Sequence, residues 1–246
     1  MDLLFGSLVL RPYVFIFLGI FLAAGTIDLG WRRTLVFWFW VWPVAWLAEY
    51  TSTRIGIPFG LYHYTGLTRG RELYVANVPF FDSLSFTFLA YASFCLARAA
   101  LGRRSVSRTG VAILAGVLMM ALDVVIDPLA VRGDRWFLGR VFYYPAGGVY
   151  FGVPLSNFVG WMIVGVVGVG GYLLLTREPG GRLPVGGIAL YYAVAGFNLA
   201  LTVWIGEWLL AAVGLTVHAA VALSLRYLSQ RAEVALDFGG RGIQRA

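Results

Sequence analysis

The sequence predicts an all-α fold: a polytopic transmembrane helical bundle of about seven spans, forming one integral-membrane domain over residues 1–246. Composition is the first reason, since 60% of the residues are apolar and only 13% charged, the balance of a membrane protein rather than of a soluble core. The second is the length of the apolar runs, which approach the roughly 20 residues needed to cross hydrocarbon. The third is that the arginines fall outside those runs, except Arg98 and Arg226, which lie close to the ends of theirs.

The first run, about 12–28, follows Arg11-Pro12 with no clear basic leader or cleavage site, so a retained helix is expected. The second, about 34–51, is unusually aromatic (VFWFWVWPVAWLAEY) and ends near Glu49. The third, about 82–101, begins at Asp82 after Val78-Pro79. In the fourth, about 110–128, the closing stretch ALDVVIDPLA contains Pro128, which marks the preceding residue as a helix end. Pro154 suits the first turn of the fifth, about 154–175. The last two, about 185–205 and 207–227, divide at WIGEW, where Glu207 marks the turn.

Cys95 is the only cysteine, which excludes an intrachain disulfide and a cysteine metal cluster. The +7 charge comes from nineteen arginines and no lysine, spread along the chain instead of concentrated on one stripe, so no nucleic-acid partner is expected. The arginines read as topology determinants beside anionic lipid, and the lipid bilayer is the expected surrounding. With seven spans, twelve arginines fall on the side of the C-terminus and seven on the other, which places the C-terminus in the cytoplasm of a cell-membrane protein.

The same parity puts Glu49, Asp82, Asp123, Asp127 and Glu207 at one membrane face, whichever way up the protein sits. The two longest connections, 52–81 and 129–153, lie there as well and are rich in glycine and aromatics (IGIPFGLYHYTG and GRVFYYPAGGVYFGVPLSN). A polar, aromatic-walled layer at one end of the bundle is where a site is to be sought.

Asp123 and Asp127, four residues apart, share one helix face. They sit at the negative end of the helix dipole, beside one another and away from water, three conditions that disfavour two ionised carboxylates. The pair is therefore a candidate Brønsted acid. Two plainer readings stay open: the aspartates cap loop amides or pair with Arg132 or Arg135, or they hold a divalent metal, for which no accompanying phosphate-binding motif is present. Asp82 stands at an N-cap position, where a helix cap and an anionic counter-charge are both reasonable. Glu49 could serve as acid or counter-charge, or as an interfacial acid satisfied near Arg54.

In VPLSNFVGW, the amide of Asn157, beside Ser156, could hold a water by donating and accepting at once, or could simply bridge two helices. Tyr62, Tyr64, Trp136, Tyr143, Tyr144, Tyr150, Phe151 and Trp161 are enough for an ordinary interfacial belt. The sharper expectation is that Tyr62, Tyr64, Trp136, Tyr150, Phe151 and Trp161 line a substrate pocket, where ring faces stabilise a passing cation. His63 stands alone and reads as structural, and Glu207 is the weakest acid candidate. The chain carries no nucleotide fingerprint, P-loop, nucleophile elbow or histidine cluster, so cofactor-free and metal-free acid chemistry on a membrane-soluble substrate is expected.

AEYTSTRIGIPFGLYHYTG (48–66), VPFFDSLSF (78–86), ALDVVIDPLA (121–130), Trp136 and GGVYFGVPLSNFVGW (147–161) together resemble the integral-membrane carotenoid 1,2-hydratases, which include the γ-carotene and bisanhydrobacterioruberin hydratases. These pieces cover the middle half of the chain in the family's order, whereas spans one, six and seven match in hydropathy alone. The resemblance implies a hydro-lyase that adds water across the terminal C1–C2 double bond of an acyclic or monocyclic carotenoid carrying a ψ-end. An acid would protonate C2, aromatics and a carboxylate would stabilise the tertiary cation at C1, and a held water would attack it.

Two rival readings remain. A membrane lycopene-type cyclase would begin with the same protonation but trap the cation with the C5–C6 double bond. A non-catalytic carotenoid or lipid transporter would line a path with acids, although the repeated halves typical of transporters are not evident here.

Overall fold

The computed structural model describes residues 2–101, 107–176 and 184–243, with side chains described as far as Leu228 and at Gln230. Of the arginines counted above, Arg103, Arg104, Arg177, Arg182 and Arg245 lie outside the described residues, as do the side chains of Arg231 and Arg241. Eight helices are present among them: α1 (Leu3–Leu10), α2 (Pro12–Leu29), α3 (Trp31–Ile55), α4 (Phe80–Leu101), α5 (Arg108–Ala130), α6 (Leu155–Thr176), α7 (Val185–Trp204) and α8 (Trp208–Ile243). Two antiparallel strand pairs sit in the long loops: β1 (His63–Tyr64) pairs with β4 (Phe142–Tyr143), and β2 (Tyr74–Val75) pairs with β3 (Val78–Pro79).

Helices α2 to α8 correspond in order to the seven expected runs. Six are long and apolar enough to cross a bilayer: α2, α4, α5, α6, α7 and the Trp208–Leu228 part of α8. The remaining one, α3, has 25 residues and carries Arg32, Arg33, Glu49 and Arg54 toward its ends, yet its Phe37, Val41 and Ala45 are fully buried in the bundle. The chain is an integral membrane protein.

Three of the boundaries that differ from the expected ones do so for a plain local reason, and one helix is additional. Helix α3 starts at Trp31 because Gly30 alone, at φ +85°, makes the turn from α2. Helix α4 starts at Phe80, whose N–H donates to the Leu73 carbonyl at 2.8 Å, so the β2–β3 hairpin delivers the chain straight into the helix. Asp82 is consequently the third residue of α4 and not its cap. Helix α5 continues through Pro128 to Ala130. Proline cannot donate to the carbonyl four residues back, that of Val124, and the hydroxyl of Tyr150 donates to it instead at 3.2 Å. Helix α1 was not expected, since eight apolar residues are too few to span. Ser7 fastens it to the loop before α4, its hydroxyl accepting from the Leu73 N–H at 3.0 Å.

Contact pairs fix the direction of each helix. Arg11 meets Asp82, Phe17 meets Phe88, Phe21 meets Tyr91 and Asp28 meets Arg98, always 70 or 71 positions apart, so α2 and α4 are parallel and in register. Trp42 meets Phe80 and Ser83 while Phe37 meets Phe94, so α3 runs against α4. Asn157 meets Asp123 while Gly116 packs on Met162 and Val166, so α5 and α6 are antiparallel. Phe197 contacts Phe17 while Gly186 faces Ala24, and His218 on α8 contacts Tyr191 while Gly214 lies against Leu199, which completes the alternation through α7 and α8. Glu49, Asp82, Asp123, Asp127 and Glu207 therefore share the end of the bundle that carries the two long loops.

The core runs along α4, whose residues from Phe86 to Ala97 are buried on every side. That fits a helix with no charged residue between Asp82 and Arg98. Between α5 and α6 the backbones approach at two small residues: a Cβ on Gly116 would lie 2.6 Å from the Met162 carbonyl, and one on Gly165 would lie 2.7 Å from the Gly116 Cα. Gly116→Ala is expected to cost about 1–3 kcal/mol through this overpacking. Gly19→Ala, with nothing within 4 Å of the new methyl, should leave stability unchanged or slightly raised. Thermal unfolding in detergent measures both.

Arg11 is 2% exposed and spans two carboxylates. Its Nε and Nη2 donate to Glu72 at 2.6 and 3.2 Å, and its Nη1 donates to Asp82. Arg11→Met would strand both carboxylates in a largely buried position, and a loss of about 3–5 kcal/mol of stability is expected in the same measurement.

Candidate functional site

A cavity opens at the loop end of the bundle, with walls from α2, α3, α4, α5, α6 and α7 and from both long loops. It encloses about 920 Å³ including its mouth. Its roof is made by the loops together. Thr65 donates through its N–H to the Val141 carbonyl at 2.8 Å, in line with the β1–β4 pairing, so the two loops form one layer. Phe59 is drawn in where its N–H donates to Ser52 Oγ at 3.0 Å, just before α3 ends in the left-handed Gly56.

Of the eleven residues expected in the site, eight line this cavity: Glu49, Asp82, Asp127, Asn157, Tyr62, Tyr64, Trp136 and Trp161. Asp127, in the last turn of α5, accepts through Oδ2 from Asn157 Nδ2 at 2.7 Å and from Trp161 Nε1 at 3.1 Å. The donors are four residues apart on α6, matching the spacing of the two aspartates on α5. Asp123 accepts from the same Asn157 Nδ2 at 2.6 Å and from the Asp127 N–H at 3.2 Å. One amide thus joins both carboxyls. Asn157 makes the interhelical bond that was its plainer reading, and its donor group is committed to the carboxyl pair.

Asp123 is fully buried and is not on the cavity wall, because it lies a helical turn deeper, with Asn157 and Asp127 between it and the space. Tyr150 and Phe151 are also off the wall. Tyr150 is turned to the Val124 carbonyl, as Pro128 requires, and its ring meets Phe151 and Phe158. Phe151, at φ +50°, gives its carbonyl to Arg132 Nη1 at 2.7 Å. That same nitrogen donates to the Pro128 carbonyl at 2.8 Å, so Arg132 staples the loop to the end of α5. Arg132 and Arg135 both pair with Glu207 and not with the aspartates, since the chain turns away through a short 3-10 segment at Gly133–Arg135.

Glu49 is buried near the end of α3 and accepts through Oε1 from the Tyr64 hydroxyl at 3.0 Å. Its Oε2 is buried with no hydrogen-bond partner among the described residues. Arg54, the expected neighbour, is turned to Asn77 and stacks over Tyr50. Tyr62 donates to the Tyr64 hydroxyl at 3.5 Å, and Phe142 and Tyr144 pack edge-on or tilted around the two rings. Burial pushes the Tyr64 hydroxyl well above the ordinary phenol range and the Glu49 carboxylate adds to this; the same two causes act on Tyr62. Both stay protonated as donors at neutral pH. His63 points outward against Tyr143, and Ser156 is exposed.

Several wall residues were not foreseen. Tyr13, Phe86, Phe142, Phe197 and Asn198 belong to the lining, as does Tyr144 of the aromatic set named from the sequence, and Arg11 with Glu72 stands behind Asp82. An arginine before a first span is generic, so nothing local marks Arg11. Asn198 is different: a polar residue in the run YYAVAGFNLALTVW is a signal in itself. Phe86 stacks on Trp161 with ring centres 4.5 Å apart, giving a tilted aromatic group with Phe59 next to Asp127. Among the described residues, no three His, Cys, Asp or Glu side chains are grouped so as to hold a metal ion.

The cavity thus combines three carboxyl groups in different settings. Asp82 is tied to a guanidinium, Asp127 bonds to neutral N–H donors, and Glu49 bonds to a phenol. Around them the wall is aromatic and aliphatic, as suits an apolar ligand with one reactive end.

No solved structure matches this chain. A curated relative, the bisanhydrobacterioruberin hydratase of Haloarcula japonica, is 31% identical over 121 residues, which are 49% of this chain and 38% of the relative. The chain therefore spans well under half the length of that protein in the match. The family described as "Carotenoid biosynthesis protein" matches residues 5–225, from α1 into α8, and the chain belongs to that family.

Proposed function

We propose that this protein is a carotenoid hydratase, adding water across the terminal C1–C2 double bond of a ψ-end without a cofactor. The observation that carries the reading is the carboxyl pair bridged by Asn157, with Asp127 on the wall of an aromatic cavity that the bilayer can supply with an apolar substrate. Membership of a carotenoid biosynthesis family and similarity to a hydratase support the substrate class and the reaction.

In this mechanism the ψ-end enters the cavity and Asp127 delivers a proton to C2, using the π electrons of the double bond. The resulting tertiary cation at C1 is flanked by the ring faces of the Trp161 and Phe86 pair and by the Asp82 carboxylate. Arg11 fixes that carboxylate in place and leaves it anionic, while Glu72 balances the other edge of the guanidinium. Water attacks C1, and a carboxylate of the site takes the excess proton. Asp123, which does not reach the cavity, acts through Asn157 by orienting Asp127.

Asp127→Asn keeps the shape but removes the proton, and a loss of about 10²-fold or more in turnover is expected, with unchanged thermal unfolding. Asp123→Asn should lose less, since it changes only the partner of Asn157. Pigment analysis of the purified variants in detergent checks both, and full turnover by Asp127→Asn would remove this acid from the mechanism.

Isotopes test the reaction class. In H₂¹⁸O the product hydroxyl should carry the heavy oxygen, in D₂O one deuterium should appear at C2, and the reaction should proceed equally well without air. A cyclase would take up deuterium but no oxygen, and a transporter would leave the pigment unchanged. A hydroxyl drawn from O₂ would overturn the acid mechanism.

A further inference from the structure

We infer that Glu49 is the base that accepts the proton of the attacking water, and that Tyr64 and Tyr62 form the hydroxyl chain through which the site is reset. This rests on the hydration reading and adds the residue that reading leaves open.

Hydration needs an acid and a base in one turnover. Asp127 gives its proton to C2 and becomes a carboxylate; its Oδ2 then remains engaged by the Asn157 and Trp161 N–H groups. Asp82 is also on the wall, but a guanidinium that keeps its charge at all working pH values already occupies it. Asp123 is off the wall. Glu49 is the remaining acid that lines the cavity, and it alone among these combines two features. No cation is paired with it among the described salt bridges, and its Oε2 is buried without a hydrogen-bond partner. The Tyr64 hydroxyl occupies Oε1, which orients the carboxylate and leaves the second oxygen to accept from a water.

The step balances. A lone pair of the water oxygen forms the C1–O bond, the electrons of one of its O–H bonds return to that oxygen, and the released proton passes to Glu49 Oε2. One water has then been added as H at C2 and OH at C1. Asp127 is left as a carboxylate and Glu49 as an acid. A single proton moving from Glu49 to Asp127 restores the starting state; the hydroxyls of Tyr64 and Tyr62, 3.5 Å apart on the cavity wall, donate toward Glu49 at rest and turn about once Glu49 holds the proton, accepting from it and passing a proton on through cavity water.

The test separates protonation from water capture. Purified protein is incubated with lycopene in D₂O, and the pigments are read by mass. Wild type should give hydroxylated pigment deuterated at C2. In Glu49→Gln, hydroxylated pigment should fall about 100-fold. Deuterium should still enter unhydroxylated pigment, by loss of the other C2 proton after rotation about C1–C2 or by loss of a methyl proton from the cation. Asp127→Asn should show neither. If Glu49→Gln does not fold, Glu49→Asp serves: deuterium entry at the wild-type rate with hydration lowered about tenfold is expected. Tyr64→Phe should lower hydration with the same separation. Hydration kept by a folded Glu49 variant, or deuterium entry falling in step with hydration, overturns the assignment. Wild type that forms no hydroxylated pigment overturns the hydration reading itself, and the role of Glu49 falls with it.

Discussion

The amide of Asn157 donates to two carboxyl groups that lie one turn apart on the neighbouring helix, and the site depends on that bond. Two carboxyls facing hydrocarbon without a donor to satisfy them would be expensive. Bridged by one donor group, they become a reason for α5 and α6 to lie together. The close approach at Gly116 and Gly165 brings the helices near enough for so short a side chain to reach, so the packing of small residues mid-bundle and the polar contact at its end are one arrangement.

Much of the fold was legible because hydrocarbon imposes a length. Seven apolar runs became seven helices, and their alternation placed the named acids at one end. What could not be read was local chemistry supplied by another part of the chain. Pro128 is a helix breaker by its own nature, and only Tyr150, 22 positions later, lets α5 run past it. The short helix α1 escaped for the opposite reason, since length was the signal and it lacks length.

The site was legible where residues report on themselves. The four-residue spacing of Asp123 and Asp127 predicts a shared face, and Asn157 near a helix start predicts a polar contact there. Which of the pair touches the cavity is decided by one helical turn of depth, and the sequence does not carry that quantity. Tyr150 and Phe151 look like Tyr62 and Tyr64 in composition and neighbourhood; strand pairing turns one set inward, while a proline and an arginine hold the other set elsewhere. Arg11 and Glu72 are 61 positions apart and meet only after the bundle has formed.

The parallel helices α2 and α4 are joined near each end by an arginine and an aspartate, in opposite order: Arg11 with Asp82 at one end and Asp28 with Arg98, at 2.9 Å, at the other. Such a pair of contacts works as a polarised key. If α2 were inserted upside down against α4, aspartate would face aspartate at one end of the membrane and arginine would face arginine at the other. A slip by one turn would break both pairs together. The two pairs thereby fix the relative polarity of two helices separated by a third in the sequence, through side-chain contacts inside the bundle.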